Sequence, residues 1–441
     1  MRWKPSSWGG QTNVNRANTS LVLDDIDLLL TGGRLSSANK ALLTQAYDNA
    51  RTGNNPDNKA LRTVLQLYSA LPEFQITSNL VSSLSNTTVR PVPNITIPPN
   101  PPPVQEYKAI VYLFMSGAAD SYSMLVPTSA CGTLHSQYMA VRGDIAIQSV
   151  SLRAISASNQ TCNYFGLHPS LTNIHNLYNA GDAAWVANVG PLEEHLNKAQ
   201  YSAGSKSVPL ALFAHNTQTK VTQTVLAQDS GAGGVLGRIG DVLNTRAGKE
   251  VFHAYSILGN AKILEGAPGV SRAADVLSGY GVVSLNYLAS EQEGIIEALN
   301  KHVVPSIHGE TYSSSLTNAL YRTRLLAGVV GGVTLSNDAC FDGLNTGIAD
   351  QLQQVARLMK KRDSLQASRD AFYTEIGGFD THSENGPTLT ALLKQIDDAI
   401  GCFKNEMVSQ GIWSNVTVRY KSMQVFFAFI QFTDLLCCFT L

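Results

Sequence analysis

Apolar positions over residues 20 to 75 recur at helical spacing. Leu21, Leu28 and Leu29 form one cluster, Leu42, Leu43 and Tyr47 a second, and Leu61, Val64, Leu65 and Tyr68 a third at steps of three and four. Gly32-Gly33 and Gly53-Asn54-Asn55-Pro56 separate them, so the pattern predicts short helices with one apolar face each. Such helices bury little when alone, and residues 1–80 are expected to be the helical remnant of a larger N-terminal domain. Seven of the thirteen residues from Pro91 to Pro103 are proline, which predicts a stiff, extended linker within residues 81–106.

Beyond the linker, short apolar runs alternate with helical periodicity, the signature of an α/β domain with a mostly parallel sheet flanked by helices. The predicted strands are Lys108 to Met115, Ala183 to Val189, Leu210 to Ala214, Val251 to Leu258, Ala371 to Ile376 and Ser414 to Val418. Helices are predicted around Leu171, Ile174, Leu177 and Tyr178, opened by Pro169, and around Ile348, Leu352, Val355 and Met359. The most regular amphipathic helix carries Leu389, Leu392, Leu393, Ile396, Ile400, Phe403 and Met407. These assignments give an α/β domain over residues 107–418 and an apolar tail over residues 419–441.

Composition narrows the function classes. The 441 residues carry a net charge of −1 with 15% charged side chains, so the basic surplus that nucleic-acid binding requires is missing. No uncharged apolar run reaches the roughly 18 residues of a membrane span, and no transmembrane segment is expected. Met1 to Trp8 contains no signal-peptide core, so a secreted or cell-surface location would need a leader ahead of these residues. Sequons at Asn18, Asn86, Asn94, Asn159 and Asn415 are compatible with that route and with glycosylation. Of the six cysteines none forms a CxxC pair. Cys131 and Cys162 lie in loop-like sequence, either as a disulfide that staples an insertion or as two buried thiols.

Ligands of an open α/β sheet bind beyond the carboxyl ends of its strands. Asp120 follows the first strand through Ser116-Gly117-Ala118-Ala119, and Asp380 and His382 follow a later one through Gly377-Gly378-Phe379. Carboxylate with imidazole suits Zn²⁺ or Mn²⁺ better than Ca²⁺, while a helix cap at Asp120 and a surface pair at Asp380 and His382 are the plainer alternatives. His215, Asn216, Gln218 and Gln223 either line the same cleft or pack a polar loop. The run Gly231-Ala232-Gly233-Gly234-Val235-Leu236-Gly237 has GxGxxxG spacing and no buried strand before it, so no nucleotide cofactor is expected. Neither a GxSxG elbow nor a Walker A motif occurs.

Six segments in order, LFMSGAADSYSMLVP (113 to 127), FGLHPSL (165 to 171), LYNAGDAAWVANVG (177 to 190), LFAHNTQTKVTQT (212 to 224), GGVLGRIGD (233 to 241) and GGFDTH (377 to 382), carry a resemblance. Together they resemble the domain-of-unknown-function family fifteen-oh-one, whose fold is grouped with the alkaline phosphatases and sulfatases. The first 80 residues, with Leu28 to Leu35 and Leu71 to Gln75, resemble the closing helices of family eighteen-hundred.

The resemblance implies a metal-dependent hydrolase of phosphate or sulfate esters, on a small molecule or a polysaccharide. Asp120, Asp380 and His382 would hold a divalent ion (Zn, Mn, Mg or Ca), and His168 and Ser170 would stand where relatives place a nucleophile. His168 and Ser170 do not match the residue types expected there, and Ser170 is equally read as a first-turn helix residue. The family's last strand runs on into a Ser-Glu/Asp-Phe-Gly-Arg-Thr turn and an Asp-His-Gly motif, whereas this chain reads Arg419-Tyr420-Lys421-Ser422. The expectation is therefore an incomplete site, C-terminally truncated and inactive as written. The alternative is a non-catalytic secreted or cell-surface binding protein on the same fold.

Overall fold

The computed structural model describes residues 18–76, 89–90, 106–160, 162–187, 189–245, 252–267, 274–279, 290–383, 385–422 and 427–430. The chain divides into two compact units, residues 1–96 with 284–325, and residues 97–283 with 326–441. The proline-rich segment expected as a linker lies outside the described residues.

In the first unit, helices Thr19–Thr31, Ser37–Ala50 and Pro56–Tyr68 appear where the periodicity places them. Asn18 and Ser36 cap the first two by accepting the N–H groups of Leu21 and Asn39. Their apolar faces are not left thin. Ile296, Leu299 and Leu320 join Leu23, Leu43, Tyr47, Val64 and Leu67 in one core. Residues 284–325 thus leave the expected 107–418 domain and complete the helical unit, because one-sided helices need an apolar cover. Asn300 locks the addition by donating to the Ala70 carbonyl at 3.1 Å and accepting from the Ser313 hydroxyl at 2.7 Å.

The second unit is α/β with a mostly parallel central sheet flanked by helices. Its strands are β1 (Lys108–Met115), β2 (Leu125–Pro127), β3 (Arg153–Ser156), β4 (Tyr164–Leu167), β5 (Ala183–Val186), β6 (Phe252–Ser256), β7 (Asp275–Val276), β8 (Arg369–Ile376), β9 (Val416–Ser422) and β10 (Phe427–Ile430). The main sheet has the order β5-β10-β9-β1-β8-β6-β7, in which β9, β1, β8, β6 and β7 run parallel. β10 is antiparallel to both of its neighbours. A small antiparallel sheet β2-β4-β3 stands apart from it.

β1 is buried on both faces, as a central strand between helical layers must be. Val111, Leu113 and Met115 meet Leu352, Val355, Leu393 and Ile400 of helices Gly347–Lys360 and Asn385–Ser409. Tyr112 and Phe114 meet Leu236 and Ile263 in the opposite layer. Asp397 of the long helix reaches across to helix Thr172–Asn179, accepting the N–H groups of Asn173 and Ile174 at 2.9 Å each. That helix starts after Leu171, so Pro169 precedes it and does not open it.

Two sequence assignments move. Leu210 to Ala214 is a turn and not a strand: Leu210 and Phe213 are exposed, Ala211 has φ 42°, and Leu210 N–H bonds to Ala227. The last predicted strand runs past Val418 to Ser422, so four residues assigned to the tail belong to the sheet. Cys131 and Cys162 are bridged with Cα atoms 5.5 Å apart, and a second bridge joins Cys340 to Cys402 at 5.7 Å. Among the described residues no helix is long and apolar enough to cross a membrane.

Candidate functional site

The parallel strands β8, β1 and β9 end side by side, and their outgoing loops are stitched together. Ser116 N–H bonds to Ile376 O at 2.9 Å, and Phe379 N–H returns to Ser116 O at 3.3 Å. Gly117 sits between them at φ 101°, where a Cβ would lie 2.4 Å from the Asp380 nitrogen. Only glycine fits that approach. From the other side the Ser422 hydroxyl donates to Gly117 O and accepts Ala119 N–H, both at 3.0 Å.

This stitching fixes Asp120. Its Oδ2 accepts from the Ser123 hydroxyl at 2.9 Å and from Asn385 Nδ2 at 2.8 Å, and it forms an ion pair with Arg142. Arg142 ends helix Thr133–Arg142 and also donates to Ser123 Oγ at 3.1 Å. Both charged side chains are largely buried, 13% exposed for Asp120 and 16% for Arg142. Asn385 in turn accepts from the Thr381 hydroxyl at 2.8 Å, so Asp120 is tied to the loop that carries Asp380 and His382.

Asp380 and His382 face solvent, at 49% and 87% exposure, with His382 Nε2 3.1 Å from Asp380 Oδ1. His215, the first residue of helix His215–Thr224, brings its Nε2 to 3.9 Å from the same oxygen. One carboxylate oxygen and two imidazole nitrogens are thus neighbours at a strand end. Gln218 and Gln223 hold loops instead: Gln218 Nε2 donates to Leu210 O at 2.7 Å, and Gln223 Oε1 accepts Ile263 N–H at 2.8 Å.

His168 follows β4 and is buried, its N–H bonded to Met124 O at 3.1 Å. Its Nδ1 accepts the Ser170 N–H at 3.2 Å, so the neutral ring carries its proton on Nε2. Burial pulls its pKa from 6.5 down to about 4, against the opposing pull of the Asp120 carboxylate. Ser170 lies before the helix and donates its hydroxyl to Thr390 O at 3.2 Å, a clasp onto the long helix.

The donor chemistry of Asp380, His382 and His215 suits Zn²⁺ or Mn²⁺. Asp120 is the member of the expected set whose carboxylate already has a cation. Among the described residues no three His, Cys, Asp or Glu side chains are gathered as a metal cage.

Sequence reasoning missed Arg142, Asn385, Ser422 and Lys421. Arg142 stands 22 residues beyond Asp120, a spacing that carries no signal. Ser422 and Lys421 were hidden by their assignment to the tail. Lys421 is buried on β9, its pKa pulled down to about 7 by burial, with the neighbouring Arg419 guanidinium adding to the effect. Asn385 was the accessible one, since it opens the long amphipathic helix three residues after His382. No family model, no curated protein and no solved structure matches the chain.

Proposed function

We propose that the second unit is a scaffold of the alkaline phosphatase and sulfatase type, with a metal-dependent site for phosphate or sulfate esters at the carboxyl ends of β8, β1 and β9. The observation that carries this reading is the contact at Gly117, which brings the Asp120 loop against the Asp380 and His382 loop where open α/β sheets bind ligands. Asp380 and His382 would hold the ion, with Asp120 as a further ligand when released from Arg142. A divalent ion there supplies a Lewis acid for the ester oxygen and a lowered pKa for the attacking hydroxyl or water.

The chain's own groups set the rest. His168 is neutral at physiological pH and presents a hydrogen-bond donor at Nε2 near Asp120. The Ser170 hydroxyl is directed at a main-chain carbonyl, which holds it away from a nucleophile's role. The two disulfides and the exposed Asn159 sequon favour a secreted or cell-surface setting.

A second reading, a non-catalytic binding protein on the same scaffold, is favoured by the Arg142–Asp120 ion pair. Assay of the purified chain on aryl phosphate and aryl sulfate with Zn²⁺, Mn²⁺, Mg²⁺ and Ca²⁺ separates the two. The first reading, with the site expected to be incomplete, allows at most slow turnover, which chelation and Asp380→Ala must both abolish, and requires metal binding that Asp380→Ala removes. Turnover indifferent to Asp380 refutes it, and an absence of turnover together with an absence of Asp380-dependent metal binding leaves the binding protein.

A further inference from the structure

We propose that Arg142 is the resident counter-cation of Asp120 and keeps a divalent metal off that carboxylate, so that metal bound by the wild-type chain is confined to Asp380 and His382. The inference rests on the metal-site reading above. It starts from one oxygen: Asp120 Oδ2 meets the Arg142 guanidinium, the Ser123 hydroxyl and Asn385 Nδ2 together. A carboxylate oxygen with three donors has little left for a metal, and a divalent ion arriving beside a guanidinium meets strong like-charge repulsion in a partly desolvated place.

Arg142 is held there by more than its charge. Ser123 Oγ donates to Asp120 while accepting from Arg142, which closes a small ring of hydrogen bonds. The helix that ends at Arg142 sets its carboxyl end beside the guanidinium, the end that favours a cation. Two residues before that helix, Cys131 is bridged to Cys162, next to the strand that delivers His168. The Arg142 helix is therefore tied covalently to the other wall of the site. Among the described residues no Lys or Arg is paired with Asp380: its neighbours are the imidazoles of His382 and His215, and it stands half in solvent. The two carboxylates at adjoining strand ends thus differ in a property that bears directly on metal uptake, whether a guanidinium is already in place.

The test is Zn²⁺ and Mn²⁺ titration of the full chain by calorimetry, with equilibrium dialysis as a second readout. Arg142→Gln keeps a donor for Ser123 and removes the charge, and Arg142→Ala serves as the larger deletion. Each is checked for cooperative melting before titration. Arg142→Gln is expected to bind metal more tightly than wild type by on the order of 10- to 100-fold, the range known for groups that act on a ligand from outside the metal's own shell. The gain should vanish when Asp120→Asn is added. Wild-type uptake should be lost with Asp380→Ala. If both folded Arg142 variants bind as wild type does while Asp380→Ala still abolishes uptake, the counter-cation role is overturned and the metal-site reading stands. Uptake by none of the variants overturns both.

Discussion

Replacing His168 by Gln should remove a block of acid sensitivity from the fold. The ring is 5% exposed, and burial lowers its pKa from 6.5 to about 4. The unfolded chain therefore takes up the proton first as the pH falls. The native state loses stability progressively from pH 6.5 down to about 4, and His168 contributes nothing to the pH dependence above that window. A tenfold change in proton affinity is worth about 1.4 kcal/mol, so the full penalty is about 3 kcal/mol, a large part of a typical net stability of about 5–15 kcal/mol. Protonation at Nδ1 also removes the acceptor for the Ser170 N–H, which Gln can replace through its amide oxygen. The assay is urea unfolding of wild type and His168→Gln at pH 7, 6, 5 and 4.5. Carboxylates lower the stability of both proteins in acid, so the difference between the two is the quantity to read. It should be flat from pH 7 to 6.5 and then swing in favour of the variant as the pH falls. Parallel curves through the whole range, or an imidazole titrating near 6.5 by NMR, would refute the reasoning.

Two further substitutions probe the frame of the site. Asp397→Ala strands the N–H groups of Asn173 and Ile174 at the start of their helix, and a loss of about 2 kcal/mol or more is expected in chemical unfolding. Gly117→Ala places a methyl 2.4 Å from the Asp380 nitrogen at φ 101°, so the β1 and β8 loops must part. The loss should be about 2 kcal/mol or more, with amide shifts concentrated at residues 378–382 and 117–120, and an unshifted spectrum would show that the loops are not in contact.

What was legible in the sequence follows from how each element is buried. β1 was readable end to end because a strand covered on both faces is a continuous apolar run bounded by a charged and a small residue. Helix Asn385–Ser409 was readable because one face alone is buried, which leaves the periodicity of three and four. Leu210 to Ala214 misled because a short apolar run has no period, and its turn is held by Gln218 from the following helix. The end of β9 misled for a different reason: Arg419-Tyr420-Lys421-Ser422 departs from the turn that the resemblance led one to expect, so the strand was ended at Val418, yet these residues continue it in the sheet. Asp120, Asp380 and His382 were singled out because Gly-rich turns after apolar runs announce strand ends. Their partners were not, since Arg142 and Asn385 come from helices whose approach depends on the tertiary fold. The Cys340–Cys402 bridge spans 62 residues between two helices and carried no local mark for the same reason.

The acidic residues of the second unit sort by the donors that hold them, and the sorting bears on which of them can do chemistry. Asp397 accepts amide N–H groups of a neighbouring helix, and Glu406 accepts the Asn337 N–H at 2.9 Å and Gln410 Nε2 at 2.9 Å. Asp370 accepts the Tyr107 hydroxyl at 2.8 Å at the amino end of β8, with His253 Nδ1 3.6 Å away. All three are buried, and their principal donors are neutral amides or a hydroxyl, the arrangement that fixes helix starts and strand entries. Burial with neutral donors anchors a backbone; it leaves no lone pair that a ligand can reach. Asp380 is the reverse case, half exposed, at a carboxyl end, with two imidazoles around one oxygen. Asp120 stands between the two kinds: it is as sheltered as an anchor, but its partners are a guanidinium and an amide from separate elements that meet only at the strand ends. Asp397 needs no such convergence, because the N–H groups of one helix start reach both of its oxygens. In the proposed reading, the convergence on Asp120 at the carboxyl ends of the strands is what favours that place over the buried acids as the ligand site.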